Sequence, residues 1–116
     1  MLFLQYPPCS TCKKAKTWLD SQGVGYTDRH IKENNPSYEE LKAWYLQSGL
    51  PLKRFFNTSG LAYKALNLKE RLPLMSEEEQ LRLLASDGML VKRPLLVTED
   101  KILPGFREDQ WADALR

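Results

Sequence analysis

The sequence predicts an α/β fold: a mixed β-sheet flanked by helices, with a helical insert between a β-α-β half and a β-β-α half. Three observations carry this. An apolar strand at the start of the chain runs into a helix and then a second strand segment. Two short apolar runs near the end surround an acidic turn and lead into one more helix. Between these halves the chain reads as helix and connecting turns. The chain has 116 residues. It is expected to form one domain over 1–116, with a helical lobe spanning roughly 35–90, and it is long enough to bury a real core.

The elements follow in order. Leu2-Phe3-Leu4-Gln5-Tyr6 is a short strand, cut off by Pro7-Pro8. The next helix carries Ala15, Trp18, Leu19 and Gln22 at helical spacing, and Gly23 stops it. A second strand is expected around Tyr26–Arg29. If it runs parallel to the first, the intervening helix is a crossover. Pro36 and Ser37 start another helix, with Ser37 and Glu40 at capping-box spacing. Leu41, Trp44 and Tyr45 form its expected buried stripe, and Gly49-Leu50-Pro51 ends it. Residues 52–68 read as short helical pieces around Asn57-Thr58-Ser59-Gly60. Ser76 and Glu79 repeat the capping box, opening a helix that carries Leu81 and Leu84 and stops at Asp87-Gly88. Leu95–Thr98 and Lys101–Leu103 flank Glu99-Asp100 as a hairpin. Glu108–Leu115 is a final helix, with Trp111 and Leu115 on one face.

Composition narrows the function classes. The chain is 42% hydrophobic and 28% charged, as in an ordinary globular protein. A net charge of +2 is too small to predict a nucleic-acid surface. No basic segment leads into a long apolar run, so neither a secretory signal nor a membrane span is expected. The expected compartment is the cytoplasm, where disulfides are usually transient and catalytic.

The two cysteines are Cys9 and Cys12, in Cys9-Ser10-Thr11-Cys12, after a strand and before a helix. At a helix start, unpaired backbone N–H groups and the positive dipole end favour a thiolate, the form that attacks a disulfide or an electrophilic oxyanion. Two intervening residues let a disulfide close and open with little movement. This motif beside a β-α-β unit reads as thioredoxin-like. A structural zinc would need more ligands than the single further candidate, His30, provides. A permanent disulfide over so short a loop would restrain the unfolded chain little. Two inert buried cysteines are the remaining alternative.

Arg93-Pro94 stands at the entry to the third strand, where a proline lacking the ladder donor belongs. In thioredoxin-like folds a cis proline commonly faces the C-x-x-C turn from that position; an ordinary trans proline is the alternative. Arg93 would point a permanent cation towards the thiols. Lys13 is a candidate thiolate neighbour, against the commoner fate of a solvated helix lysine. Arg107, after Pro104-Gly105-Phe106, is a candidate for the same cleft or an exposed loop residue. His30 receives no role. Ser59 and Ser76 lie in no nucleophile-elbow context. Glu77-Glu78-Glu79 matches a helix dipole, and no Gly-rich phosphate loop is present.

Taken together, Tyr6-Pro7-Pro8-Cys9-Ser10-Thr11-Cys12-Lys13-Lys14-Ala15, Phe55-Phe56-Asn57-Thr58-Ser59-Gly60, Leu66-Asn67-Leu68, Ala85-Ser86-Asp87-Gly88-Met89-Leu90, Lys92-Arg93-Pro94 and Gly105-Phe106 resemble the ArsC/Spx family. The resemblance covers nearly the whole chain and implies a glutaredoxin-like thioredoxin fold. In the family's arsenate reductases, a cysteine at the position of Cys9 attacks arsenate, and arginines matching Arg93 and Arg107 bind the oxyanion. The resemblance therefore implies Cys9, Cys12 and Arg93 as catalytic residues, with Ser10, Thr11, Lys13, Pro94 and Arg107 binding substrate. It implies no metal and no bound cofactor, with glutathione as a co-substrate and glutathione, glutaredoxin or thioredoxin as reductants. A further family arginine falls near Asn57, where this chain has none, so weak arsenate turnover is expected. Cys12 implies an internal resolving cysteine. Spx-type regulators share the C-x-x-C pair as a redox switch and bind the RNA polymerase α subunit, which is the alternative reading. The expectation is a thiol-disulfide oxidoreductase, with no direct nucleic-acid contact.

Overall fold

The structure is a computed structural model that describes all 116 residues. Strand β1 is Leu2–Gln5, β2 is Thr27–His30, β3 is Leu95–Val97 and β4 is Ile102–Pro104. Helix α1 is Ser10–Ser21, α2 is Tyr38–Ser48, α3 is Leu61–Ala65, α4 is Leu68–Arg71, α5 is Glu77–Ser86 and α6 is Glu108–Ala114. Three single 3-10 turns, Leu52–Phe55, Leu72–Leu74 and Gly88–Leu90, complete the chain. The sheet order is β2-β1-β3-β4. β1 runs parallel to β2 and antiparallel to β3, and β3 is antiparallel to β4. This is the mixed sheet with flanking helices that the element order predicts.

Alternation along the central strands divides the core. Successive side chains leave a strand on opposite faces. Phe3 therefore joins Ala15, Leu19, Leu96 and Trp111 on the α1–α6 face. Its neighbour Leu4 joins Leu95, Ile31, Leu41, Phe55, Phe56 and others in a larger cluster beneath the helical lobe. Both strand residues are fully buried. Burying each such side chain contributes about 1.5–3 kcal/mol. The lobe thus serves as the second layer of the sandwich, covering a sheet face that would otherwise be wet.

Both predicted capping boxes are present. Ser37 accepts the Glu40 N–H and Glu40 accepts the Ser37 N–H; Ser76 and Glu79 repeat the pattern. Gly49, at φ +67°, ends α2. Some details depart from the sequence reading. Tyr45 is only half-buried, because its hydroxyl turns out to donate to Glu77 Oε1 at 2.8 Å. β2 sits one residue later than expected, since Thr27 N–H pairs with the Met1 carbonyl and sets the register. β4 likewise begins at Ile102 and includes Pro104, whose edge position needs no ladder donor.

The lobe is locked to the sheet at one close contact. Gly88 lies so near the end of β2 that a Cβ there would stand 1.8 Å from the Ile31 carbonyl oxygen. Asn35 Nδ2 donates to the Ala85 carbonyl at 2.6 Å across the same joint. Arg29 completes it. Its Nε donates to Asn34 O, Nη2 to Asn35 O, and both terminal nitrogens to the Glu40 carboxylate at 2.7 and 3.0 Å.

Candidate active site

The β1–α1 junction fixes both sulfurs. Pro7-Pro8 cannot continue the strand ladder, and the chain turns, with Cys9 N–H donating to the Tyr6 carbonyl at 2.9 Å. Cys9 is the N-cap of α1, and its Sγ accepts the Cys12 N–H at 3.4 Å. This is the place where a helix offers unpaired donors to an anion. Cys12 lies one turn in, with no exposed surface, and its Sγ accepts the Tyr6 N–H at 3.5 Å. Both cysteines are free thiols.

Their environments drive the two thiols apart. Burial works to raise the Cys9 pKa, but it is outweighed. The Cys12 N–H, the Cys12 thiol, the Thr11 N–H and the Arg93 charge all favour the thiolate, and the net direction is down. Burial dominates at Cys12. Neither the Tyr6 N–H nor Arg93 offsets it, and the neighbouring Cys9 sulfur adds to it, so Cys12 is pushed up to about 12.

Cys9 opens into a cleft of about 1090 Å³. Thr11, Arg93 and Arg107 line it, as the sequence reading expects. Arg54, Lys92 and Asn57 line it as well. No Asp or Glu does. The chain reaches this arrangement through a short pairing far from the cysteines in sequence. Phe56 and Val91 form an isolated antiparallel bridge, in which Lys92 N–H donates to Phe55 O and Asn57 N–H to Leu90 O, each at 2.8 Å. That pairing draws the Arg54 segment alongside Lys92 and Arg93. On the other side, Gly105 at φ +79° turns the chain after β4, and its Cα faces the Lys92 side chain closely enough that a Cβ would lie 3.1 Å from Lys92 Cε.

Arg93 makes few polar contacts within the protein. The Arg93-Pro94 peptide is cis. The guanidinium lies over the Tyr6 ring, 5.2 Å from its centroid. Its one protein hydrogen bond is Nη1 to the Met89 carbonyl at 3.4 Å, and its buried Nε has no partner. Pro94 is buried behind it.

Besides the buried Pro94, two more predicted binding residues lie outside the cleft lining. Ser10 is exposed at the start of α1 and lies outside the cleft lining. Lys13 lines a separate shallow groove with Lys14, Trp18, Phe106 and Glu108, because the helix turn carries it away from the sulfur of Cys9. The sequence reading assigns no role to Lys92 or Arg54. The signals were present: Lys92 is joined to Arg93, and Arg54 stands just before the apolar pair Phe55-Phe56. Nowhere do three or more His, Cys, Asp or Glu side chains gather as a metal site. No helix is long and apolar enough to cross a membrane.

The family model for ArsC matches residues 4–114. The chain belongs to the ArsC family. It is 58% identical to YusI of Bacillus subtilis (strain 168) over 113 residues, which is 97% of this chain and 96% of that one. It is 31% identical to the regulatory protein MgsR of the same organism, covering 91% of this chain and 82% of that one. The structure of a possible arsenate reductase from Streptococcus mutans UA159 superposes with a TM-score of 0.88 at 48% identity, covering 96% of each chain. The ArsC family assignment thus joins this chain both to arsenate reductase-like structures and to regulatory relatives.

Proposed function

We propose that this ArsC-family chain is a cytoplasmic thiol-disulfide oxidoreductase, with Cys9 as nucleophile and Cys12 as resolving thiol. The observation that carries this is the contrast between the sulfurs. Cys9 is partly exposed in a cationic cleft with its pKa lowered, and Cys12 is wholly buried with its pKa raised.

The chemistry runs in order. The Cys9 thiolate attacks one sulfur of a substrate disulfide. A mixed disulfide forms, and the other half leaves as a thiolate that takes up a proton from water. The charge on Cys9 is then gone. The two contributions from Cys9 that raise the Cys12 pKa, its hydrogen bond and its charge, go with it. Cys12 therefore becomes easier to ionise only after the first step. It loses its proton, attacks the Cys9 sulfur and releases the second substrate half as a thiolate, leaving a Cys9–Cys12 disulfide. Two thiol equivalents from glutathione, glutaredoxin or thioredoxin return the pair to dithiol. Arg93, which lines the cleft and makes one hydrogen bond to the protein, attracts an anionic substrate. Arsenate is the compact alternative, attacked by the same thiolate.

Peroxide followed by intact mass tests the resolving step. The wild-type chain is expected to lose two hydrogens, while Cys12→Ser is expected to hold a sulfenic acid or mixed disulfide at Cys9. Identical products from both proteins would remove Cys12 from the mechanism. The similarity to MgsR supports a second reading, a redox-sensing regulator that binds the RNA polymerase α subunit. Capture of the α C-terminal domain by the oxidised or reduced chain, together with no turnover on any disulfide, would favour that reading.

A further inference from the structure

Tyr6 contacts Cys9, Cys12 and Arg93, yet its side chain takes no part in the bond-making steps. It is the first residue after β1, and both of its backbone groups are committed to the cysteines. Its N–H donates to Cys12 Sγ at 3.5 Å, and its carbonyl accepts the Cys9 N–H at 2.9 Å. The side chain points to other partners. Its ring is half-buried against the large core cluster. The Arg93 guanidinium lies over that ring, 5.2 Å from the centroid. His30, at the end of β2, meets the ring in a T-shaped contact with 5.8 Å between centroids. The imidazole is itself fixed, because its Nδ1 accepts the Lys32 and Glu33 N–H groups at 3.2 and 3.1 Å.

Arg93 needs such a support. Its one hydrogen bond to the protein is long, and its buried Nε has no partner. A guanidinium on a flexible stem, tied at one point, loses much of its placement to rotamer freedom. A carboxylate beneath it would tie it down, as Glu40 does for Arg29, but would also consume its donors and cancel its charge. An aromatic face works differently. The ring quadrupole attracts the cation, while the N–H donors lie in the guanidinium plane and stay available. The ring also brings no negative charge to the neighbourhood of the Cys9 thiolate, which the Arg93 charge helps to stabilise.

We infer that Tyr6 is a positioning residue whose ring holds the Arg93 guanidinium beside Cys9 without neutralising it or using up its donors. The inference rests on the proposed Cys9 chemistry and assigns it a residue that acts through Arg93 alone. The groups that bear on the Cys9 sulfur are Cys12 and Thr11 of α1 and Arg93 at the entry to β3. Those that face the Tyr6 ring are Arg93 and His30. Arg54, Lys92 and Arg107 line the same cleft. His30 and these three cations are present in every variant below, so their contributions cancel in the comparison.

The test is a double-mutant cycle read by the pH dependence of Cys9 alkylation on the full chain, which needs no disulfide turnover. Tyr6→Leu keeps both backbone contacts to the cysteines and removes the ring. Its Cys9 midpoint is expected to move up, in the direction of Arg93→Ala, and Tyr6→Phe is expected to stay with the wild type. In the Arg93→Ala background, Tyr6→Leu is expected to add nothing. Pentafluorophenylalanine in place of Tyr6 keeps the shape of a ring but inverts its quadrupole, so it is expected to follow Tyr6→Leu. It also decides the matter if Tyr6→Leu does not fold. On an anionic disulfide, Tyr6→Leu is expected to lower the specificity constant by about three- to ten-fold, and Tyr6→Phe by less than about two-fold. A midpoint unchanged in the ring-altered variants, additive shifts in the double variant, or a fluorinated ring that behaves as Tyr6→Phe overturns the positioning role. Absence of turnover on every disulfide, with the coupled midpoint shifts intact, would instead count against the oxidoreductase reading and leave the hold of Tyr6 on Arg93 standing.

Discussion

Arg29 and Arg93 are the same residue type in opposite circumstances. At the joint between sheet and lobe, Arg29 directs its donors to two backbone carbonyls and a bidentate carboxylate. In the cleft, Arg93 has one long hydrogen bond, a buried Nε without a partner and a tyrosine ring beneath it. The joint is closed chemistry: a cation with four of its five N–H donors bonded has little left to offer a ligand and serves the fold. The cleft is open chemistry: its donors are held in place but not consumed. The difference teaches that a functional cation here is recognised by what it lacks, and that the two regions should respond to mutation in opposite currencies, stability at one and substrate handling at the other.

The largest expected effect breaks the joint. Gly88→Ala drives a methyl group into the Ile31 carbonyl, a backbone atom that cannot rotate away. The expected loss is about 3 kcal/mol or more, a fall in Tm of roughly 12 °C for a domain of this size. Thermal unfolding checks this, and an unchanged Tm would mean that lobe and sheet are not locked at Gly88.

Next in size, Arg93→Ala is expected to lower the specificity constant for an anionic disulfide by roughly ten- to hundred-fold, the worth of a charge-assisted contact. Its Tm is expected to move little, because few protein bonds are lost. A large drop in Tm with unchanged turnover would reverse the contrast between the two arginines.

Arg29→Ala is the mirror experiment. It leaves Glu40 and two carbonyls without their donor, with an expected cost of about 2 kcal/mol after allowing for the partial exposure of the carboxylate, or roughly 8 °C in Tm. Exchange rates per folded molecule are expected to stay within about two-fold of wild type, since Arg29 is not among the residues that line the cleft.

The smallest effect is in acid. The Arg29 guanidinium, against some opposing burial, holds Glu40 down to about 2 from an ordinary 4.5. A depressed carboxyl pKa contributes stability that is fully present above the unfolded value and is lost as pH falls through the folded one. The stability gap between wild type and Glu40→Gln is therefore expected to be widest above pH 4.5 and to close towards pH 2. Its height is about 1 kcal/mol, because the carboxylate is partly solvated. A gap independent of pH would remove the ion pair from the account of the joint.

Much of this contrast is written locally, and part of it is not. The capping boxes at Ser37–Glu40 and Ser76–Glu79, the strand cut at Pro7-Pro8 and the helix-capping place of Cys9 all depend on residues within one turn of each other. Periodicity and turn chemistry reach that far. Arg54 belongs in the cleft only because Phe56 pairs with Val91, 35 residues away, and an isolated bridge leaves no alternating pattern to read. Lys13 lies outside the cleft lining for a related reason: nearness in sequence to Cys12 says nothing about which side of α1 a lysine takes. Asn57 does lack the arginine expected from the family resemblance, but Arg54 and Lys92 bring charge to the same wall. Tyr45 packs against the core only in part, and its hydroxyl reaches Glu77 across the lobe.

The central claim is that one sulfur is poised and the other is held in reserve. It is tested most directly by the rate of alkylation against pH, measured on the wild-type chain, Cys9→Ser and Cys12→Ser. The wild-type and Cys12→Ser proteins are expected to show a fast-reacting thiol that titrates below the usual free-cysteine range of about 8.5. Cys9→Ser is expected to react slowly across the whole range, because its remaining thiol is buried. A fast, low-titrating thiol that survives in Cys9→Ser would contradict the assignment of the nucleophile and the order of steps built on it.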